Sequence, residues 1–157
     1  MSLEIERRFL LKNDNWKEFT TKKIYIEQGY LSKSLDDWIS RIRFIGKDFK
    51  IALKKHIKGF TNFEFEYSIP RSDGEIIMSN LSNTIKKERF FLDVEKKSWI
   101  IDCFKENNYP LEIAEIELSN EEEYLSLPSF ISKEITGLKD YSNFSLSNKP
   151  FSKWNDN

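Results

Sequence analysis

Charged residues two positions apart recur along this chain: Glu4, Glu6 and Arg8; Arg41 and Arg43; Glu64 and Glu66; Lys87 and Arg89; Glu115 and Glu117. In an extended strand, residues i and i+2 project from the same face. The opposite faces carry Ile5 and Phe9, with Arg7 as an exception; Ile42 and Phe44; Phe63, Phe65 and Tyr67; and Ala114, Ile116 and Leu118. Asp102 stands alone between Ile101 and Cys103. Any one such strand reads most simply as half-solvated, the ordinary condition of an antiparallel sheet. Together they read differently, because whole strand faces are sorted by sign. Like charges on one face repel, so sorting costs stability unless a ligand or a neighbouring strand compensates.

Compensation is available if these faces share a cavity. Three carboxylate pairs and Asp102 would offer hard oxygen ligands suited to Mg2+ or Mn2+. Arg8, Arg41, Arg43, Lys54, Lys87 and Arg89 would offer donors to an oligo-anion, arginine as a bidentate fork and lysine as a point charge. One ligand class needs both signs at once, a polyphosphate carrying its own metal. A single phosphate would not need so many cations, and a long nucleic acid would not need so many acids.

The elements that must position these residues are short strands. Runs rich in Ile, Phe, Tyr, Trp and Leu fall at about 3–11, 24–31, 38–45, 49–57, 63–69, 88–94, 99–104 and 111–118. Gly46-Lys47-Asp48, Lys58-Gly59 and Asn107-Asn108-Tyr109-Pro110 punctuate them. Helices are few: one capped by Ser72 or Asp73 and running to Leu81, one starting at Ser119 before three glutamates, one over 141–146 and one over 13–20. Eight strands with a few edge helices predict a mainly β, α+β fold in which one antiparallel sheet closes into a barrel.

Length and composition bound the rest. At 157 residues the chain has the size of one domain, 1–157, with a core over about 2–147 and a tail over 148–157. A net charge of −1 argues against a general nucleic-acid binder. A single cysteine, Cys103, excludes an internal disulfide framework, and the alternation turns it toward the outer apolar side. His56 is the only histidine and reads as a strand-end surface residue, so no histidine triad is buildable. No secretory signal and no apolar run of about 20 residues is present, which predicts a cytoplasmic protein with no membrane partner. Trp154 in the tail either covers a cavity mouth or hangs free. Phosphate-loop and dinucleotide signatures are missing.

Several short motifs, in order, resemble one known family. Glu4-Ile5-Glu6-Arg7-Arg8-Phe9-Leu10 resembles the N-terminal ExExK signature of the CYTH, or triphosphate tunnel metalloenzyme, superfamily. Glu27-Gln28-Gly29-Tyr30-Leu31 resembles its second strand, Arg41-Ile42-Arg43 its RxR strand, and Glu64-Phe65-Glu66-Tyr67 its ExE strand. Lys87-Glu88-Arg89-Phe90 is similar to KxRY, Trp99-Ile100-Ile101-Asp102 to the strand with the metal-side aspartate, Ala114-Glu115-Ile116-Glu117-Leu118 to AEIEL, and Lys133-Glu134-Ile135-Thr136 to KEVT.

The resemblance implies an eight-stranded antiparallel tunnel and hydrolysis of a small triphosphate, inorganic tripolyphosphate first, with Mg2+ or Mn2+. Thiamine triphosphate hydrolysis, a class IV adenylate cyclase reaction and a non-catalytic polyphosphate- or nucleotide-binding module are the alternatives. It also implies roles. Glu4, Glu6, Asp102, Glu115 and Glu117 form the metal side; Arg8, Arg41, Arg43, Lys54, Lys87, Arg89 and Lys133 cradle the phosphates. Arg8, Glu66 and Lys87 are the candidate catalytic groups, with Glu66 or metal-activated water handling the proton. Tyr30 reaches the tunnel by analogy or packs in the core. The chain departs from the pattern at Arg8, where the motif has lysine, at Asn62, where an arginine is expected, and at Leu138 and Asp140. A homodimer is compatible with the sequence but not read from it.

Overall fold

A computed structural model describes residues 2–155. Nine strands are present: β1 (Leu3–Leu11), β2 (Thr20–Tyr30), β3 (Ile39–Ile45), β4 (Asp48–Lys58), β5 (Thr61–Ile69), β6 (Thr84–Val94), β7 (Lys97–Phe104), β8 (Glu112–Glu117) and β9 (Ile131–Glu134). They form one antiparallel sheet in the order β5-β4-β3-β2-β6-β7-β8-β1-β9, and a further pairing of β5 with β1 closes it. Eight strands therefore make the barrel, and β9 is an added branch. Strand β1 forks: Leu3–Ile5 pair with β5, Phe9 and Leu11 pair with β9, and Glu6–Leu10 pair with β8 along the other edge.

Strands β2 and β6 begin earlier than the apolar pattern predicts, because the polar start of each pairs with the far end of the other, Thr20 opposite Leu92 and Gly29 opposite Thr84. The β6–β7 hairpin turns on Glu95 and Lys96, both at positive φ, 50° and 64°. A two-residue hairpin of this hand normally takes Asn or Gly, so its sequence carried no turn signal.

The helices are short. Helix α1 (Arg71–Ser79) starts behind Pro70 with no side-chain cap, rather than at Ser72 or Asp73. Helix α2 (Asn143–Asn148) is capped by Ser142, whose Oγ accepts from the Ser145 amide at 3.1 Å. The 13–20 segment holds one 3-10 turn over Asn15–Phe19. The helix expected from Ser119 does not form. Its glutamates staple loops instead: Glu121 accepts the Phe60 N–H at 2.9 Å, and Glu123 accepts the Ser119 N–H while pairing with Lys97, both at 2.8 Å.

Two apolar clusters hold the barrel. One lies outside the wall of β1, β6, β7 and β8, where Phe9, Trp16, Leu92, Trp99, Ile101, Ile116 and Phe130 are buried together. The second, with Ile85, Phe104, Ile113, Ile135 and Leu146, closes one end of the barrel beneath α2. Trp154 neither covers a mouth nor hangs free: it packs edge-on against Tyr141 and Phe151 beside this second cluster.

Helix α1 meets the barrel at Gly74, which is buried, and a Cβ placed there would overlap the Phe49 ring. Alanine usually improves a helix interior by up to about 1 kcal/mol over glycine. Here overpacking, typically about 1–3 kcal/mol, is the larger effect. Gly74→Ala is thus expected to lower stability by about 1 kcal/mol or more in urea denaturation; a stabilised variant would show that the helix rides clear of Phe49.

Candidate active site

The registers put the sorted charges on one inner face. Arg8 lies opposite Glu115 and Glu6 opposite Glu117 across β1 and β8; Arg89 lies opposite Asp102; Lys54 lies opposite Glu64; and Ala52 separates Arg41 from Glu66. They surround a cavity of about 910 Å3 whose lining includes Glu4, Glu6, Glu64, Glu115 and Glu117 and, facing them, Arg41, Arg43, Lys54 and Arg89. A second opening of about 530 Å3 meets it at Glu6 and Lys54 and is lined by Arg8, His56 and the 136–139 turn. Two openings therefore reach the charged interior of the tunnel, and the second apolar cluster closes one end of the barrel.

Most of the cations are paired. Asp102 is fully buried and accepts from Lys87 Nζ at 2.8 Å, Arg89 Nε at 2.8 Å and Arg89 Nη2 at 2.9 Å. Burial alone would raise this carboxyl, but Arg89 and Lys87 outweigh it and hold it well below the usual carboxylate range. Lys87 has no solvent exposure, and burial pushes it down to about 7 against the pull of Asp102. Arg8 Nε reaches Glu115 at 3.2 Å and its Nη1 donates to the Tyr141 carbonyl at 3.0 Å. Lys54 pairs with Glu4, and Arg41 lies 3.8 Å from Glu64 and 3.6 Å from Glu66.

Three of the lining acids are less well compensated. Glu64 and Glu115 are instead held below the usual carboxylate range against the pull of burial, Glu64 by its bond to Glu4 and by Arg41, and Glu115 chiefly by Arg8. Burial, with Glu64 adding to it, pushes Glu4 up to about 7, and burial with Glu115 and Glu4 pushes Glu6 up to about 8. Glu117 is raised as well, by burial and by Glu4. Carboxylates crowded in a low-dielectric cleft resist ionisation until a cation arrives. Three buried polar atoms here have no hydrogen-bond partner among the described residues: Arg8 Nη2, Arg41 Nε and Glu64 Oε2.

Over 158 aligned residues the chain is 30% identical to an inorganic triphosphatase of Acetivibrio thermocellus, which covers 99% of this chain and 100% of that protein. The chain belongs to the triphosphate tunnel, or CYTH, family. Solved tunnel structures share its fold. The inorganic triphosphatase NE1496 matches with a TM-score of 0.67 at 24% identity, over 92% of this chain and 97% of that one. HpAC1 from Hippeastrum, a putative adenylyl cyclase described as having a dominant triphosphatase activity, matches with a TM-score of 0.57 at 14% identity, over 78% and 81%. At these identities the likeness is one of fold. No family model matches the chain.

The tunnel family implies a divalent cation. The oxygen donors of Glu4, Glu6, Glu115 and Glu117 suit a hard cation, and the upward-pushed Glu4 and Glu6 are the groups such a charge would relieve. Among the described residues no three carboxylates already converge as a ligand set.

The predicted site residues separate into four groups. Glu4, Glu6, Glu115, Glu117, Arg41, Arg43, Lys54 and Arg89 line the main cavity. Arg8 lines the second mouth. Asp102 and Lys87 share the inner face but have no solvent exposure, so Asp102 braces two cations inside the barrel, within electrostatic reach of Glu115. Glu66 and Lys133 stand apart. Glu66 is exposed and held by Arg41 and Lys50, and it is Glu64 that lines the cavity. Lys133 is exposed on β9, lines neither mouth and has no ion pair among the described residues. An exposed position away from the tunnel changes little when truncated. Lys133→Ala is expected to leave KM within about twofold, and a tenfold rise in steady-state assays would restore it to the phosphate cradle.

Tyr30 is packed, 6% exposed and edge-on to Phe144 at 5.5 Å, while its hydroxyl accepts from Gln28 Nε2 at 2.8 Å. Cys103 donates to Glu112 at 3.2 Å, and burial pushes its thiol up, an inert setting. His56 is exposed as expected, 3.3 Å from Asn62. Two polar residues of the site escaped sequence reasoning. Asn143 accepts from Lys87 Nζ at 3.0 Å, and Gln28, fully buried, accepts from Arg43 Nε at 3.0 Å. A glutamine on the inner face between Ile26 and Tyr30 was the only available signal for the second; a helix-start asparagine gave none for the first.

Proposed function

We propose that this tunnel protein is a divalent-metal-dependent triphosphatase that cleaves inorganic tripolyphosphate to diphosphate and phosphate, with Mg2+ or Mn2+ as the cation. One observation carries this: a wall of incompletely compensated carboxylates, Glu4, Glu6 and Glu117, faces a wall of guanidinium and ammonium groups across one cavity. The full-length likeness to the Acetivibrio thermocellus inorganic triphosphatase supports it. A pure anion-binding module gains nothing from acids that raise the cost of binding an anion. Their presence favours catalysis over sensing.

In this mechanism Arg41, Arg43 and Arg89 hold the phosphate chain along the cationic wall, and Lys54 sits at the seam against Glu4 and Glu6. Glu4, Glu6, Glu115 and Glu117 would hold the cation. When bound, the cation neutralises and polarises phosphoryl oxygens. The arginines keep the terminal phosphoryl group in line with attacking water and receive the charge growing on the leaving diphosphate. Phosphoryl transfer depends on this positioning and charge stabilisation more than on covalent chemistry. Asp102, buried inside the barrel, keeps Arg89 and Lys87 in place.

A phosphate-release screen of tripolyphosphate, ATP and thiamine triphosphate with Mg2+ or Mn2+ tests the assignment. Tripolyphosphate is expected to be turned over fastest. Binding without release of phosphate from any of the three would leave a sensing module, and cyclic AMP formed from ATP would mark a cyclase.

A further inference from the structure

Arg43 differs from every other cation of the predicted cradle that lines or braces the tunnel. Arg8, Arg41, Lys54, Lys87 and Arg89 each have a carboxylate within 4.0 Å. Arg43 has none among the described residues, and its Nε donates instead to a neutral amide, Gln28 Oε1, at 3.0 Å. Guanidinium has donors only, so this contact fixes the amide with its oxygen toward Arg43 and its nitrogen toward the Tyr30 hydroxyl. Gln28 has no solvent exposure and lies directly opposite Arg43 across β2 and β3. The chain has thus built a fully buried holder for one guanidinium, bonded at both its oxygen and its nitrogen, and made it uncharged.

A carboxylate at position 28 would grip Arg43 more strongly but would compete with an incoming phosphate. An amide orients without competing. At the other cations a phosphate must displace or share a carboxylate; at Arg43 it meets the two terminal nitrogens of an oriented, uncompensated fork. Burial and the neighbouring Arg41 and Arg89 push Arg43 down to about 10, so it is still a cation at neutral pH and sits where positive charge is in excess.

We infer that Gln28 is a positioning residue for the triphosphate, holding Arg43 oriented but unneutralised so that Arg43 is the first anchor of the phosphate chain. This rests on the tunnel being a triphosphate site. Gln28→Glu is nearly isosteric and tests it: the new carboxylate pairs with Arg43, and the Tyr30 hydroxyl can turn to donate to it. KM for tripolyphosphate is expected to rise about tenfold or more, the worth of one charge-assisted hydrogen bond, with kcat changing far less and Tm staying at or above that of the parent. The same substitution in an Arg43→Ala background is expected to add nothing.

A merely structural glutamine gives the reverse pattern, a lower Tm with KM unchanged, and that result overturns the inference. So does a KM rise that persists in the Arg43→Ala background. Should Gln28→Glu fail to fold, Gln28→Leu replaces it: a KM rise abolished by Arg43→Ala supports the assignment, and an unchanged or Arg43-independent KM defeats it. A parent protein with no affinity for tripolyphosphate by calorimetry defeats the functional reading itself, and this inference with it.

Discussion

Asp102→Asn is expected to destabilise the protein by about 3–5 kcal/mol, the cost of removing one partner from a buried ion pair. The carboxylate has no exposure and receives three charge-assisted bonds, from Lys87 Nζ and from Nε and Nη2 of Arg89. Asparagine matches its shape but supplies one acceptor oxygen and no charge, leaving two cations in the wall with a single weak partner between them. At this chain length the change corresponds to a fall in Tm on the order of 10 °C. Catalysis suffers separately, because Arg89 loses the bidentate contact that aims it into the cavity, and misplacing such a group by about 1 Å can cost about 100-fold in rate. Tripolyphosphate should restore part of the lost stability, since it brings negative charge to the same wall. Metal affinity should persist, because Asp102 is saturated by bonds from two cations and does not line the cavity. Urea denaturation with and without ligand, alongside metal titration, measures all three. A variant within 1 kcal/mol of the parent that no longer binds metal would return Asp102 to the metal side.

Chelation is expected to abolish triphosphate hydrolysis and to lower Tm, with the loss of stability growing as pH rises. Folding pushes Glu4 from 4.5 to about 7 and Glu6 from 4.5 to about 8. Between those limits the folded metal-free protein binds more protons than the unfolded chain, so its stability falls as pH increases. Lys87, pushed down to about 7, acts in the opposite direction only above that pH, where the unfolded chain alone keeps the proton. The comparison is therefore cleanest between about pH 5 and 7. The two side chains keep 17% and 21% of their surface open to the tunnel, which weakens the effect of burial, and a combined loss on the order of 2–4 kcal/mol follows. Saturating Mg2+ or Mn2+ removes the trend, because a cation bound only by the folded state stabilises it by mass action. Chelated protein as stable at pH 7 as at pH 5, or hydrolysis continuing in excess chelator, would sink this account of the acidic wall.

Local pattern in the chain determined which residues share a face. Glu4 with Glu6, Arg41 with Arg43 and Glu115 with Glu117 follow from the two-residue period of a strand, which no packing can alter once the strand forms. The sign sorting on those faces then required a compensating partner, and the order of the motifs pointed to the tunnel. Strand ends were legible only where apolar residues marked them, so the polar starts of β2 and β6 and the glycine-free turn at Glu95-Lys96 were not.

Tertiary structure alone decided depth and partnership. Asp102, Glu66 and Lys133 look equivalent to their neighbours in the sequence. Closure of the barrel buries Asp102 inside it between Lys87 and Arg89, leaves Glu66 exposed beside Arg41 and Lys50, and puts Lys133 on the branch strand β9. Those outcomes depend on inter-strand register and on which cation arrives opposite which acid, both long-range facts. Gln28 shows the same limit from the other side. Its type is visible in the sequence, but its meaning comes from the register that brings Arg43 alongside and brings no carboxylate with it.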